Sequence, residues 1–187
     1  ATVQRNVSQL KRLIDQIFEL AHLENGQVTV NLENFAIGEF LHDILAKFTL
    51  KTTDKKIVLT LQPQPCQFMV HSDIAKLERI MTNLLENAIK YGYEKSDILV
   101  RIEQFRKDEV IVSVINQGEG IPEKYLDRLT ERFFRVDKAR SRELGGTGLG
   151  LAIVKHILIK HRATLEIKSI PKESTHFAIT FPLANTD

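Results

Sequence analysis

The sequence predicts an α/β (α+β) two-layer sandwich, in which helices cover one face of a mixed β-sheet and one further helix precedes the sheet. Segments with helical spacing of apolar residues alternate along the chain with short segments in which apolar and polar residues alternate. The 187 residues include 43% hydrophobic residues, which suffices for one compact domain with its own core and a short appendage.

Composition and charge exclude several classes of protein. The 26 Lys and Arg residues nearly balance 24 Asp and Glu residues, and the resulting charge of +2 argues against a protein that coats nucleic acid. The single Cys66 is expected to be a small core residue in a reducing compartment, because it has no second thiol to pair with. No apolar run reaches the roughly 18 residues of a membrane span. Because the chain enters a helical pattern directly at Ala1, we expect a piece of a longer protein, whose missing regions could include a membrane anchor.

The first predicted helix has an apolar stripe whose spacing alternates between four and three residues. Its members are Val3, Val7, Leu10, Ile14, Ile17 and Ala21, widened by Leu13, Phe18 and Leu20. Such spacing is typical of a helix that packs on other helices. The partner would be a helix outside this sequence or a second copy of the chain; alternatively, the helix folds back on its own domain. Gly26 is expected to end the helix.

The remaining elements follow from periodicity, prolines and polar turns. Between the first helix and the first glycine-rich segment we predict strands over 28–35, 56–62 and 66–70, helices over 37–48 and 72–91, and a hairpin of strands 98–105 and 109–115. Pro63 and Pro65 separate the second and third strands, and Ser72 or Asp73 caps the second of these helices. A last helix over 151–161 and two closing strands over 163–170 and 175–181 complete the sheet.

The helix over 72–91 has a polar face beside its apolar one. Asn83, Asn87 and Lys90 stand at i, i+4 and i+7 and so share one face. Asparagine is a poor residue in a helix interior. An amide oxygen can ligate Mg²⁺ and a lysine can meet a phosphate oxygen, so this face indicates a nucleotide or phosphate site. A solvated polar face explains the pattern equally well.

Two glycine-rich segments flank a basic one. Residues 116–120, NQGEG, follow a strand, where they could admit a flat ligand or form a plain turn. Residues 145–151, GGTGLGL, open the last helix, and glycines there free backbone N–H groups to face an anion. The segment between them contains Arg132, Arg135, Lys138, Arg140 and Arg142, which predicts a mobile lid or a surface loop. Phe133 and Phe134 are expected to dock the base of this segment in the core.

Four motifs in this order, NLLENAIKY, NQGEGIP, ERFFR and GGTGLGL, resemble the N, G1, F and G2 boxes of the sensor histidine kinases of two-component systems. This family shares its ATP-binding fold with gyrase, Hsp90 and MutL. Residues 9–27 are similar to the second helix of the family's dimerisation hairpin, so that the resemblance divides the chain into a partial hairpin over 1–26 and a catalytic domain over 27–187. Residues 155–167 are similar to the phosphate-regulon sensor branch.

The resemblance implies ATP and Mg²⁺ as ligands and assigns roles to individual residues. Asn87 would ligate Mg²⁺, Asn83 and Lys90 would lie at the phosphates, and Arg135 would reach the γ-phosphate, so that Asn83, Lys90 and Arg135 are the implied catalytic residues. Asn116 would face the adenine amino group. The implied nucleotide-binding set is completed by Tyr91, Gly118, Gly120, Ile121, Phe134, Gly146, Thr147, Gly148, Leu149 and Gly150.

The sequence departs from the family at two places. The family usually has Asp at the position of Asn116, and a neutral amide should accept a weaker hydrogen bond from adenine. The family's phosphoacceptor His is absent, since the only His–acid pair, His42 and Asp43, lies inside the domain. Relatives that hydrolyse ATP have a Glu base at the position of Asn83, and an amide cannot take up a proton. Glu86 is expected to lie on a different face of the helix.

These features favour the catalytic part of a histidine kinase, which transfers the γ-phosphoryl group of ATP to a His on a missing helix for relay to an Asp of a response regulator. The expected partners are that receiver domain, the chain's own hairpin and a second copy, but no nucleic acid. The expected location is a cytoplasmic domain of a protein anchored in the inner membrane. Two alternatives are a nucleotide-binding module that has lost phosphotransfer and a gyrase-type ATPase, which Asn83 disfavours.

Overall fold

The computed structural model describes residues 2–25, 29–64, 66–137 and 145–184. Four α-helices occur in this part of the chain: α1 (Thr2–Glu24), α2 (Ile37–Thr53), α3 (Ile74–Tyr91) and α4 (Gly150–Lys160). The strands are β1 (Glu33–Ala36), β2 (Val58–Gln62), β3 (Met69–Ser72), β4 (Asp97–Arg106), β5 (Glu109–Gln117), β6 (Thr164–Ile170) and β7 (Ser174–Pro182), and a 3-10 helix spans Glu123–Arg128. None of these helices is long and apolar enough to cross a membrane.

The predicted mixed sheet is confirmed. Five strands lie in the order β2-β4-β5-β7-β6, with β2 parallel to β4 and every other neighbouring pair antiparallel. Val100, Val112 and Val114 are fully buried because alternate residues of a strand point to the same face, and here that face packs under the helices. The sheet and its helices therefore enclose one hydrophobic core.

The prediction of a single sheet is wrong in one respect. The short strands β1 and β3 pair with each other, antiparallel, in a separate two-stranded sheet. The predicted strand over 28–35 is ordered as a strand only from Glu33, and the predicted strand over 66–70 begins at Met69. Cys66 is half-buried rather than fully inside, and packs against the core beside Gly38.

Helix α3 is the central element of the helical layer. Asp73 is its N-cap and accepts a hydrogen bond from the Lys76 backbone N–H at 3.0 Å, which is the usual way to satisfy a free N–H at a helix start. The apolar residues of α3 are almost inaccessible to solvent: Leu77, Ile80, Met81, Leu84, Leu85 and Ala88. The polar face beside them is consequently held in a fixed orientation.

Helix α1 packs on its own domain through one face and leaves a second apolar face exposed. Both arrangements predicted for it, docking on the domain and availability to another helix, are therefore present. Leu20 and Leu23 are buried against the domain, so the helix does pack on its own chain. Of the predicted stripe, Val7, Leu10, Ile14 and Ile17 remain exposed together with Phe18, at accessibilities between 44% and 72%. Leu13 and Leu20 face the domain and do not widen the exposed stripe. The predicted helix end at Gly26 lies outside the described residues.

Candidate functional site

A cavity of about 450 Å³ opens where the polar face of α3 meets the glycine loop, residues 145–150. Its walls come from α1, α2, α3, the end of β5, β7, the segment 134–137 and the start of α4. Most residues that the sequence motifs single out lie in its lining: Asn83, Asn87, Lys90, Tyr91, Asn116, Gly120, Ile121, Phe134, Arg135, Gly146, Thr147, Gly148 and Gly150. Four motifs that are far apart in the sequence therefore meet at one site.

Gly118 and Leu149 do not belong to this lining. Gly118 supports the wall from behind, because a Cβ there would lie 2.6 Å from the Tyr91 carbonyl oxygen, and its N–H donates to Glu173 O at 3.1 Å. Leu149 is completely buried in the core. Both residues thus act on the shape of the cavity through packing rather than through contact with a ligand.

The two asparagines of α3 differ in environment. Asn83 is only 4% exposed, and its Nδ2 donates to the main-chain oxygen of Arg79 at 2.9 Å. A solvated polar face is therefore excluded for Asn83. The half-buried Asn87, one turn further on, has no side-chain hydrogen bond to the described part of the chain. Its amide lines the cavity with both polar atoms available to a ligand.

Lys90 continues this face at the next turn. Its ammonium lies 5.1 Å from the centroid of the Tyr91 ring, within the range of a cation–π contact. Within the described ranges, Lys90 has no carboxylate partner closer than 4 Å, and the same holds for Arg135. Glu86, Glu119 and Asp137 also line the cavity, but Lys90 and Arg135 are not paired with them, and two such cations favour an anionic ligand.

The part of the cavity at β5 and β7 combines a buried amide with apolar side chains. Asn116 is 3% exposed and lies beside Thr175 on the neighbouring strand β7. Its Nδ2 donates to Gln117 O at 3.3 Å, which directs the amide oxygen away from that bond and leaves it as an acceptor. Phe177 and Ile121 add apolar surface. This end suits a flat aromatic ring with an amino group at its edge.

The glycine loop is shaped by close backbone approach. Gly148 has a φ of +76°, and a Cβ there would lie 2.8 Å from the Phe133 carbonyl carbon. Phe133 N–H donates to Gly148 O at 2.9 Å. Only glycine combines this φ with this contact at low cost. The loop is thereby joined to the end of the 131–135 motif.

The expected docking of both phenylalanines in the core is wrong for Phe133. The Phe133 side chain is 56% exposed because its backbone, not its ring, meets the glycine loop. Phe134 is half-buried: its ring lies 5.9 Å from that of Tyr125, and the Arg128 guanidinium lies 4.3 Å above it. The basic residues Lys138, Arg140 and Arg142 of the predicted lid lie outside the described residues.

Sequence reasoning missed a wall of the cavity formed by α1, α2 and Glu86. Arg12 and Gln16 of α1 and Lys51 of α2 line it. Gln16 is 3% exposed and accepts a hydrogen bond from Thr147 Oγ1 at 2.6 Å. The expectation that Glu86 faces elsewhere is wrong, because it lines the same cavity and forms ion pairs with Arg12 and Lys51. Spacing along α3 alone could not locate these residues.

Comparisons with known proteins identify the family. Residues 72–185 match the family described as histidine kinase-, DNA gyrase B- and HSP90-like ATPases. The phosphate regulon sensor protein PhoR of Pseudomonas aeruginosa is 35% identical over 96% of this chain, which spans 40% of that relative's length. The sensor histidine kinase WalK of Bacillus subtilis is 31% identical over 96% of this chain, which spans 29% of that relative.

A solved structure of full-length ShkA in complex with AMPPNP has the same fold. It aligns with a TM-score of 0.84 and 22% identity over 99% of this chain and 38% of that one. The family match includes the α3 face, Asn116 and the glycine loop, which together line the cavity. The chain accordingly belongs to the histidine kinase-, DNA gyrase B- and HSP90-like ATPases.

Proposed function

We propose that this domain binds ATP with Mg²⁺ and transfers the γ-phosphoryl group to a histidine on a helix outside the sequence, for relay to an aspartate of a response regulator. The observation that carries the proposal is the meeting of the α3 amide face with the glycine loop in one cavity of about 450 Å³. That volume is in the usual range for a site that holds a small molecule.

The two ends of the cavity fit the two ends of ATP. Asn116, Ile121 and Phe177 form the end that suits adenine. At the other end Lys90 and Arg135 supply positive charge, and the N-terminus of α4 with its glycine loop supplies N–H groups for phosphate oxygens. Such groups stabilise charge on a transferring phosphoryl group mainly by position, without covalent chemistry.

The residues present fit a Mg²⁺ ion that is shared with the nucleotide. No cluster of three or more His, Cys, Asp or Glu side chains capable of holding a metal occurs in the described part of the chain. Mg²⁺ commonly keeps several waters and binds one or two protein oxygens together with substrate phosphates. The amide oxygen of Asn87 would hold it here. When bound, the ion neutralises negative charge on the phosphate oxygens.

Neither Asn83 nor Glu86 on α3 offers a free base for the activation of water. Asn83, at the position of the base in ATP-hydrolysing relatives, carries a neutral amide whose Nδ2 is engaged with Arg79 O. Glu86 is held by two cations, which occupy its carboxylate oxygens. We therefore expect slow hydrolysis and retention of the phosphoryl group for a better nucleophile, the imidazole of the acceptor histidine.

The proposed partners follow from α1 and from a solved complex. The exposed stripe of α1 from Val7 to Phe18 suits the other helix of a hairpin and a second copy of the chain. A structure of the histidine kinase ThkA with the response regulator protein TrrA has a TM-score of 0.78 and 21% identity over 98% of this chain and 50% of that one.

We further propose that this domain works in the cytoplasm, as part of a receptor anchored in the inner membrane.

Titration calorimetry with a non-hydrolysable ATP analogue, with and without Mg²⁺, tests the binding step. Mg²⁺ should strengthen binding to the wild-type chain by about tenfold or more, and Asn87→Ala should remove that gain while binding of adenosine persists. Asn34→Ala, which changes an asparagine outside the cavity lining, is the matched control. An unchanged Mg²⁺ effect in Asn87→Ala would contradict the assigned role.

Phosphotransfer is tested with γ-labelled ATP and a separate hairpin that carries the acceptor histidine. Label should appear on the hairpin and then on a receiver domain.

The second candidate, a nucleotide-binding module without transfer, is favoured by Asn116, whose neutral amide replaces the usual carboxylate. Tight nucleotide binding with no label on the hairpin would support this candidate instead.

A further inference from the structure

Glu86 joins three helices at one wall of the nucleotide cavity. Its Oε2 forms an ion pair with Arg12 Nη2 of α1, and its Oε1 lies 3.5 Å from Lys51 Nζ of α2. All three residues line the cavity. We call them the Arg12–Glu86–Lys51 triad. Arg12 and Lys51 lie outside the segment 72–185 that matches the ATPase family, so the family match does not account for these two cations.

The three side chains of the triad differ in their exposure to solvent. The Glu86 side chain is 29% exposed, whereas those of Arg12 and Lys51 are 52% and 56% exposed. The carboxylate is thus the most enclosed member, and the two long cationic side chains approach it from the solvent side. Flexible exposed cations of this kind can exchange one anionic partner for another at small cost.

A lone carboxylate at this place would oppose the proposed function. A triphosphate is strongly anionic, and a negative side chain in the same cavity would repel it. With Arg12 and Lys51 in place the charge of the triad is +1 rather than −1. The net charge at this wall therefore attracts the triphosphate rather than repelling it. The positive charge that brings this about comes from residues of α1 and α2, not from α3 itself.

We propose that Arg12 and Lys51 are phosphate-binding residues of the nucleotide site, and that Glu86 is the positioning residue that holds both at the cavity wall before the nucleotide arrives. This inference rests on the proposed ATP-binding function and adds two residues to the site. Because Arg12 belongs to α1, the affinity for the phosphate part of the ligand depends on α1 lying in its observed position. The adenine end, lined by Asn116, does not share this dependence.

The test compares Arg12→Gln and Lys51→Gln with two matched controls. Arg79→Gln removes a pair between α3 and α1, Arg79 with Glu19 at 2.6 Å, and Lys47→Gln removes a pair between α2 and α3, Lys47 with Glu78 at 2.7 Å. Neither control side chain lines the cavity. Each control makes the same change in charge as its partner variant, so general electrostatic effects cancel in the comparison.

Calorimetry of the whole chain with Mg²⁺ and a non-hydrolysable ATP analogue, and separately with adenosine, gives the readout. Arg12→Gln and Lys51→Gln should each weaken binding of the triphosphate by about threefold to tenfold, without a change for adenosine. Arg12→Gln should lose less triphosphate affinity in the Glu86→Gln background than in the wild type, because without the carboxylate Arg12 is no longer held at the cavity wall. Raised salt should shrink these differences.

Three results would overturn the inference while leaving ATP binding in place. The first is an equal loss in Arg12→Gln and Arg79→Gln, which would mean that only the docking of α1 matters. The second is an equal loss for adenosine and for the triphosphate. The third is an equal loss of triphosphate affinity from Arg12→Gln with and without Glu86, which would mean that Glu86 does not position Arg12. A wild-type chain that binds neither ligand would instead overturn the proposed function itself.

Discussion

Gly150, the first residue of α4, lies directly against the side chain of Asn83 on α3. A Cβ at position 150 would be 2.8 Å from Asn83 Oδ1, closer than a carbon and an oxygen normally approach. The start of the helix that follows the glycine loop is therefore fitted to one amide of the proposed phosphate site. Both residues also line the cavity, so their contact joins its two principal walls.

Gly150→Ala should weaken binding of the ATP analogue by about threefold to tenfold, because the new methyl group must displace the Asn83 amide or shift α4. Calorimetry measures the affinity, and thermal unfolding measures the stability. The double variant Gly150→Ala, Asn83→Ala should recover stability but not affinity, since it removes the clash together with the amide. Unchanged affinity in the single variant would contradict a role for this contact.

Asn116→Asp should change adenosine affinity by less than about tenfold. A carboxylate accepts a stronger hydrogen bond from the adenine amino group, but here it would be 97% buried, to judge from the 3% exposure of Asn116, and would lose the donor to Gln117 O. These effects oppose each other. Asn116→Leu, which removes the acceptor, should weaken adenosine binding by up to about tenfold, on the order of one neutral hydrogen bond. A gain far above tenfold in Asn116→Asp would favour the module without phosphotransfer.

Leu23→Ala should lower the free energy of unfolding by about 2–4 kcal/mol, because Leu23 is 3% exposed and its loss leaves a cavity between α1 and the domain. Ile17→Ala, on the exposed stripe at 44% accessibility, should cost less than about 1 kcal/mol. Denaturant unfolding at low protein concentration separates the two values. Equal costs would mean that α1 does not dock through the face that contains Leu23.

The stability should fall slightly as the pH is lowered below neutrality, in part because of His176. Burial, with the cations Lys168 and Arg101, holds the pKa of His176 below its ordinary value of 6.5, against the opposing effect of Glu166 and Glu103. The unfolded chain then takes up a proton at a higher pH than the folded one, so protonation favours unfolding. This contribution is absent above about pH 7.5 and grows as the pH falls through 6.5.

His176→Gln should therefore flatten the dependence of the unfolding free energy on pH between about 7.5 and 5.5. Chemical denaturation at a series of pH values provides the measurement. His42→Gln, which removes an imidazole from the exposed face of α2, controls for the loss of one histidine. A curve for His176→Gln that is as steep as that of the wild type would show that other groups account for the whole dependence.

The local features of the sequence were sufficient to predict most of the helices and strands of the fold. Alternation of apolar residues located the strands of the five-stranded sheet, and the buried stripe of α3 followed from the 3.6-residue period. The pairing of β1 with β3 in a separate sheet was not predictable in this way, because strands of four residues have too few positions to establish a period.

Spacing within one helix or one loop was enough to predict the Asn83, Asn87 and Lys90 face and the glycine loop, and the family resemblance added Asn116 as a predicted acceptor. Only the tertiary structure decided that Glu86 faces the cavity, that Phe133 is exposed, and that Arg12 and Lys51 come to the same wall. The physical reason is that periodicity relates residues on one element, whereas contacts between α1, α2 and α3 depend on how their buried faces pack together.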